Sequence, residues 1–356
     1  MANPTATITF NRVYSTTAAA ERATVAMEIV QSNPLLWHMY RQGAIVYEGG
    51  TECRVPVVLT ESQNIGAIGT YETFSTTAED GPTKARYPTW YKNRASMVID
   101  NTELAQNRGK YQIVNLLQAK QAISKISMVN DLARQLYADN AAAPKEINGL
   151  QSMLEFATPA TQAKVVGGID KAVYDEWRNQ YGEITAFGTD GLDVWEEVYM
   201  DCSKKGTHPD IILTDPTVYR FFKRLVAPNQ EERDVAMWNQ GFENLLFNGT
   251  PVVPDDELAG TGKTFFLTTS GRRGVTDFNL KPEYFEVPGK NPLVQGKGTA
   301  IGIQLAILSS DDFRQTEFMT PPNSDVILSH TYFTSMLVAS SLSRQGCTKF
   351  SGAIQF

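Results

Sequence analysis

The sequence predicts a mixed α+β fold, and three observations carry that reading. Residues 110–139 hold one long amphipathic helix pattern. Several short apolar runs bounded by Gly, Pro or Asn read as strands on both sides of it. The hydrophobic share of 42% and charged share of 20% in 356 residues support a sizeable core and argue against disorder.

Residues 1–43 read as an N-terminal arm. A short helix is expected over about 18–31, stopped by Asn33-Pro34. Leu35, Leu36 and Trp37 then form an apolar cluster with no local partner, which predicts packing on a distant segment or a second chain. Residues 52–59 and 96–100 read as strands. Between them lies a long stretch with few aliphatic residues and many turn formers, in which Tyr71, Phe74, Tyr87, Trp90 and Tyr91 are spread. A poorly cored stretch of that length is expected to be functional, and its aromatics argue against full disorder. A two-stranded extension lying on a neighbouring subunit accounts for both features.

In the helix pattern, Ile113, Leu116, Leu117, Ile123, Ile126, Val129, Leu132 and Leu136 recur at steps of three and four. Ile126 sits mid-stripe and is expected in the core. Lys120 interrupts the stripe and is expected to snorkel. A short lead-in helix is expected at 102–107. Further on, residues 193–225 read as helix, loop, buried strand and helix. The two apolar runs around Asn248-Gly249 signal a hairpin. Residues 265–268, 301–308 and 325–342 supply further apolar segments.

No constellation for catalysis stands out. Gly260-Thr261-Gly262-Lys263-Thr264 imitates the end of a phosphate loop, but Glu257 occupies the position of the required first glycine and a strand pattern follows. It reads as a turn with an exposed lysine. His38, His208 and His330 lie in three separate regions, without metal-ligand spacing. The net charge of -7 argues against a dedicated nucleic-acid binder. Three widely spaced cysteines, Cys53, Cys202 and Cys347, favour a reducing compartment without a disulfide frame. Neither a signal peptide nor a membrane span is expected, and no cofactor is implied.

The most distinctive string runs from Gly167 to Leu225. It opens with Gly167-Gly168-Ile169-Asp170-Lys171, reaches Tyr174, and closes on Trp177-Arg178-Asn179-Gln180. Pro209-Asp210-Ile211-Ile212-Leu213 and a Tyr219-bearing helix pattern follow. This string resembles one group of tailed-bacteriophage major capsid proteins with the Hong Kong 97-like shell fold. The resemblance implies an arm over 1–43, an extended E-loop with flanking strands over 44–99, and a P-domain with a spine helix over 100–149. An A-domain over 150–270 and a return to the P-domain sheet over 271–356 would follow. It implies a non-enzymatic chain that self-assembles, as hexamers and pentamers, into an icosahedral or prolate shell around double-stranded DNA. Implied partners are further copies, a separate scaffolding protein, a portal, a decoration protein and weak, non-specific contact with DNA. The implied location is the virion, with the host cytoplasm during assembly. Leu35, Leu36, Trp37, Tyr71, Phe74, Tyr87, Trp90 and Tyr91 are the expected intersubunit residues. In some members of this fold an E-loop lysine is joined to an asparagine of a neighbour, and Lys84 and Lys92 lie in the corresponding stretch. Two other readings are an encapsulin-like compartment shell and a soluble enzyme of unknown chemistry.

Overall fold

The computed structural model describes residues 33–57, 59, 67, 83–102, 110–139, 143–204, 207–226, 233–269, 302–321 and 325–356. The helix expected at 18–31 lies outside these residues, and so do Tyr71, Phe74 and nearly all of the expected lead-in helix.

Asn33-Pro34 also starts a helix, one not expected from the sequence. Helix α1 (Pro34–Gln42) places Pro34 in its first turn, where a missing N–H costs nothing. The Asn33 side chain accepts the Leu36 N–H at 3.0 Å, and Gly43, at φ 72°, closes the other end. The inward face of α1 carries Leu35 (0% exposed), Leu36 (2%) and Met39 (0%) into the main core. Of the two expected partners, a distant segment or a second chain, Leu35 and Leu36 therefore take distant segments of their own chain.

A five-stranded sheet forms from segments far apart in sequence. Strand β1 (Ile45–Glu48) runs parallel to β12 (Ile303–Leu308), which pairs antiparallel with the long β14 (Val326–Ala339). Strand β4 (Tyr91–Asp100) pairs with β14 from Val326↔Asp100 to Ser335↔Tyr91, well beyond the expected 96–100. Part of 311–323 returns onto the same strand: β13 (Arg314–Gln315) pairs with Tyr332 and Thr331, and Met319 bridges to Leu328. A separate hairpin joins β2 (Cys53–Val57) to β3 (Thr83–Tyr87).

Helix α2 (Lys110–Tyr137) is 28 residues long, about 42 Å at 1.5 Å per residue. Its buried stripe is Met128, Leu132 and Leu136, at steps of four, with Ala133 and Tyr137 beside it. Ile123 and Ile126 are 63% and 61% exposed, which corrects the expected core position of Ile126. Ile126 stands two residues before Met128, about 200° round the helix, so the two cannot share a face. Lys120 reaches across and donates to the Val98 carbonyl at 3.2 Å.

The second sheet has six strands in the order β7-β15-β11-β8-β10-β9. They are β7 (Gln180–Ile184), β8 (Ile211–Thr214), β9 (Leu245–Phe247), β10 (Thr250–Pro254), β11 (Thr264–Leu267) and β15 (Gly346–Phe350). Asn248 and Gly249, both at positive φ, make the tight β9–β10 turn read from the sequence. The central strands are buried on both faces, so their side chains divide by alternation. Ile212, Val252, Phe266 and Phe350 face a core closed by α4 (Leu192–Cys202) and α5 (Pro216–Val226). There Trp195 packs against Phe187, Phe222, Phe247 and Phe266, with ring centroids 5.2 to 5.8 Å apart. Ile211, Leu213, Phe265 and Leu267 face the other way, into the core shared with α1, the end of α2 and the five-stranded sheet. Two short helices, α3 (Leu150–Met153) and α6 (Val235–Asn239), complete that side.

The corrected helix register has a direct consequence. Leu136→Ala should cost about 2–5 kcal/mol, and Ile126→Ala should stay within about 0.5 kcal/mol of the parent. Denaturant titration of the two variants checks this; a larger loss for Ile126→Ala would overturn the register.

Candidate functional site

The distinctive string folds into a knot between the two sheets. Gly167 and Gly168, at φ 62° and 76°, form the two-residue turn of a hairpin between β5 (Val165–Val166) and β6 (Ile169–Asp170). A left-handed pair of this kind is what the Gly-Gly dipeptide supplies. A Cβ on Gly167 would also stand 3.1 Å from both Ala85 and the Tyr87 ring, because the turn lies against the β2–β3 hairpin. The Arg86 N–H donates to the Gly167 carbonyl at 2.7 Å. The rest of the string closes inward. The Trp177 indole, 0% exposed, donates to the Val166 carbonyl at 3.0 Å. Arg178 donates to the carbonyls of Lys171 and Ala172 and pairs with Asp175 at 2.6 Å.

Lys171 and Asn179 are both fully buried. The Lys171 ammonium donates to the Met153 carbonyl and to Asn179 Oδ1, each at 2.7 Å. Burial lowers it to about 8, and the charge of Glu155 opposes the shift. Asn179 Oδ1 also accepts the Glu155 N–H at 2.9 Å, and Nδ2 donates to the carbonyls of Glu155 and Gln180. Gln162 completes the set, exchanging two hydrogen bonds with the Asn179 backbone. Cys347 touches Nδ2 at 3.4 Å; burial pushes its thiol up to about 12. The amide and the ammonium are committed to holding backbone, and this geometry offers no open position for a substrate.

The expected intersubunit residues fall into three groups. Leu35, Leu36 and Tyr87 are buried within their own chain. The Tyr87 hydroxyl donates to the Ala339 carbonyl at 3.0 Å and accepts the Ala339 N–H at 3.1 Å, fastening the β2–β3 hairpin to the end of β14. These three side chains offer no surface to a neighbour, because intrachain packing has already taken it. Trp37, Trp90 and Tyr91 are half-buried. Trp37 lies 6.1 Å from the Phe242 ring, under Arg41, and the Trp90 indole donates to the Gly50 carbonyl at 3.1 Å. Tyr71 and Phe74 lie outside the described residues. Of the two lysines in that stretch, Lys84 is exposed on β3, and Lys92 pairs with Asp311 at 3.2 Å across the Tyr332 ring.

The phosphate-loop imitation is a turn. Gly260 and Gly262 take positive φ, the Gly262 N–H is held by the Asp215 carboxylate at 2.9 Å, and β11 follows. A carboxylate already occupies an N–H that a phosphate would need. Lys263 is half-buried, not fully exposed as expected. It donates to Gln151 at 2.6 Å over the Phe156 ring, and burial lowers its ammonium. His38 lies buried 3.3 Å from Asp210, His208 meets the Pro209 carbonyl and His330 meets Ser96. Among the described residues no three His, Cys, Asp or Glu side chains gather for a metal, and no helix is long and apolar enough to cross a membrane.

Comparison with solved structures finds the same arrangement elsewhere. The cyanophage A-1(L) capsid subunit superposes with a TM-score of 0.55 at 14% identity, covering 87% of this chain and 92% of the other. The capsid of Myoviridae phage XM1 gives 0.51 at 12% identity, covering 88% of this chain and 91% of the other, and mycobacterium phage Bobi gives 0.50 at 12% identity, covering 88% and 90%. The chain has the Hong Kong 97-like capsid fold. No protein-family model matches this shell-fold chain, and no curated protein matches it.

Two substitutions test the site. Tyr87→Phe strands a buried N–H and carbonyl at Ala339, so a loss of about 1–3 kcal/mol is expected in denaturant titration. Lys263→Ala should cost about 1 kcal/mol through lost packing on Phe156, and titration calorimetry should detect no ATP binding by either protein. ATP binding by the parent that the variant loses would reverse the reading of this turn.

Proposed function

We propose that this chain is the major capsid protein of a tailed bacteriophage and that its work is self-assembly into a closed head shell around double-stranded DNA. The observation that supports this most is the shell fold itself, shared over most of the chain with phage capsid subunits. The motif that carries the sequence resemblance lies at the junction of the two sheets, where it sets the subunit's shape.

On this reading the five-stranded sheet and α2 form the P-domain, and the six-stranded sheet with α4 and α5 forms the A-domain. Residues 44–99 form the E-loop and its flanking strands. Scaffolding, portal and decoration proteins are the expected partners, and packaged DNA is contacted weakly and without sequence preference. The particle is the chain's final location, after assembly in the host cytoplasm. Self-association also agrees with apolar side chains left exposed by the subunit: Ile123, Ile126, Val173, Met200 and Val235 are each more than 60% exposed.

The deciding experiment is electron microscopy of the purified protein, expressed alone and with its scaffold, where large closed particles are expected. A stable monomer with the scaffold present would sink the proposal, and the cargo of purified particles separates a genome shell from an encapsulin-like compartment. A second test concerns the E-loop. Leu59, Ala85 and Tyr87 belong to the subunit core, so the segment to remove is 60–81. A Gly-Ser turn in its place should leave thermal melting nearly unchanged and abolish particles. Normal particles from that variant would refute the loop's role.

A further inference from the structure

The C-terminal end of α2 is fastened to the six-stranded sheet by a buried acid. Tyr137, the last residue of the helix, is 2% exposed and donates its hydroxyl to Asp255 Oδ2 at 2.6 Å. Asp255 is itself only 5% exposed. Its other oxygen accepts the Glu257 N–H at 3.0 Å, and its own N–H donates to the Thr214 carbonyl, so it is anchored at the ends of β8 and β10. Phe265 of β11 packs on the Tyr137 ring at 6.2 Å. The oxygens of Asp255 thus meet a phenol and a backbone amide, both neutral, and no cation contacts them among the described residues.

The charged surroundings make an ionised Asp255 costlier. Asp256 and Glu257 follow it on the same turn. From α2, the charge of Arg134 acts on Glu257, but its guanidinium is bound to Glu146 at 2.7 Å and Asp131 at 2.8 Å, so much of its charge is already matched. From the sheet side, Asp215 is buried and holds the N–H groups of Gly262 and Thr217. Lys263, beyond it, turns to Gln151. A carboxylate held by neutral donors, with acids as close neighbours, favours its protonated form on burial.

We propose that this contact is an acid-tightened joint: seating the end of α2 against the six-stranded sheet takes up a proton at the Asp255–Glu257 turn, so the joint is firmer in mild acid and looser above neutrality. The direction of titration agrees. Burial raises the Asp255 carboxyl above its ordinary 3.8, with Asp256 adding to the rise and the bonds from Tyr137 and Glu257 opposing it. Glu257 is raised from 4.5, first by desolvation and then by Asp255. A raised carboxyl means that the native state binds protons more tightly than the unfolded chain. Its contribution to stability is therefore gained as pH falls through the raised value and is complete below the ordinary one. Carboxylates held low by cations, such as Asp234 beside Arg41 and Asp311 beside Arg314, act in the opposite sense. The test must therefore isolate the turn.

Asp255→Asn keeps an acceptor for the Glu257 N–H and mimics the protonated acid. Thermal melting of full-length parent and variant across about pH 4–8 should show the variant the more stable near neutrality, with the difference shrinking steadily toward acid. Hydrogen exchange of the amides of residues 131–137, corrected for intrinsic rate, should slow in the parent as pH falls and lose that dependence in the variant. Tyr137→Phe removes one donor and should steepen the parent's dependence; this arm decides the matter if Asp255→Asn does not fold. A difference between parent and Asp255→Asn that is constant with pH, or a Tyr137→Phe slope equal to the parent's, would overturn the proposal.

Discussion

The structure depends most on the satisfaction of Asn179. Its side chain is sealed from water, so every polar atom must find a partner in the protein, and each unmet one costs a large part of a folding domain's margin. It finds them on Glu155, Lys171, Cys347 and the neighbouring Gln180, while Gln162 holds both polar groups of the Asn179 backbone. Those groups belong to the turn after α3, the loop before β5, the end of β6, the start of β7 and the last strand, β15. A shift of any one would strand a buried donor or acceptor. The amide therefore sets the register in which the chain's C-terminal strand meets β7 and the height at which the glycine turn stands.

That turn then fixes the relation between the sheets. Gly167 lies against Ala85 and Tyr87, and Tyr87 grips the last residue of β14 through both polar groups of Ala339. The helix α2 makes the second connection: Lys120 reaches the carbonyl of Val98 on β4, and Tyr137 reaches the turn after β10. Two separate connections resist rotation better than one. Under the proposed shell function this matters more than it would for an enzyme, since small angular errors between the parts of a subunit would be repeated in every copy of a closed lattice.

Much of this was legible in the sequence, for identifiable reasons. The long helix, the Asn-Gly hairpin and the buried β8 each rest on local periodicity or turn chemistry, which the chain states within one window. The α+β class and the shell fold followed from them and from the glycine-to-asparagine string. What misled was burial decided at long range. Leu35 and Leu36 looked orphaned because their partners lie on other segments of the core, hundreds of residues away in places. Ile126 looked internal because α2 has apolar residues on two faces, and the sequence cannot say which face meets the sheet. Asn33-Pro34 obeys opposite rules at the two ends of a helix, and the sequence alone did not show that a helix begins there. Gly346–Phe350 carries too little pattern to declare which sheet it joins.

The residues that make this string most distinctive face inward. Trp177, Lys171, Asn179 and Ile169 are buried, and Arg178 spends its donors on carbonyls of the same string. Its specificity is that of a folding constraint: a buried ammonium and a buried amide tolerate few substitutes, because a residue of the right size without the right donors leaves carbonyls unmet. Surfaces that join copies face a weaker requirement. They must be apolar and complementary, conditions that many side chains satisfy, and Ile123 and Ile126 on α2 and Val98 on β4 are exposed apolar side chains of that general kind. The residues that give the subunit its shape are therefore recognisable by type and spacing, while those that join one subunit to the next are recognisable only once the fold shows which apolar side chains the chain has left uncovered.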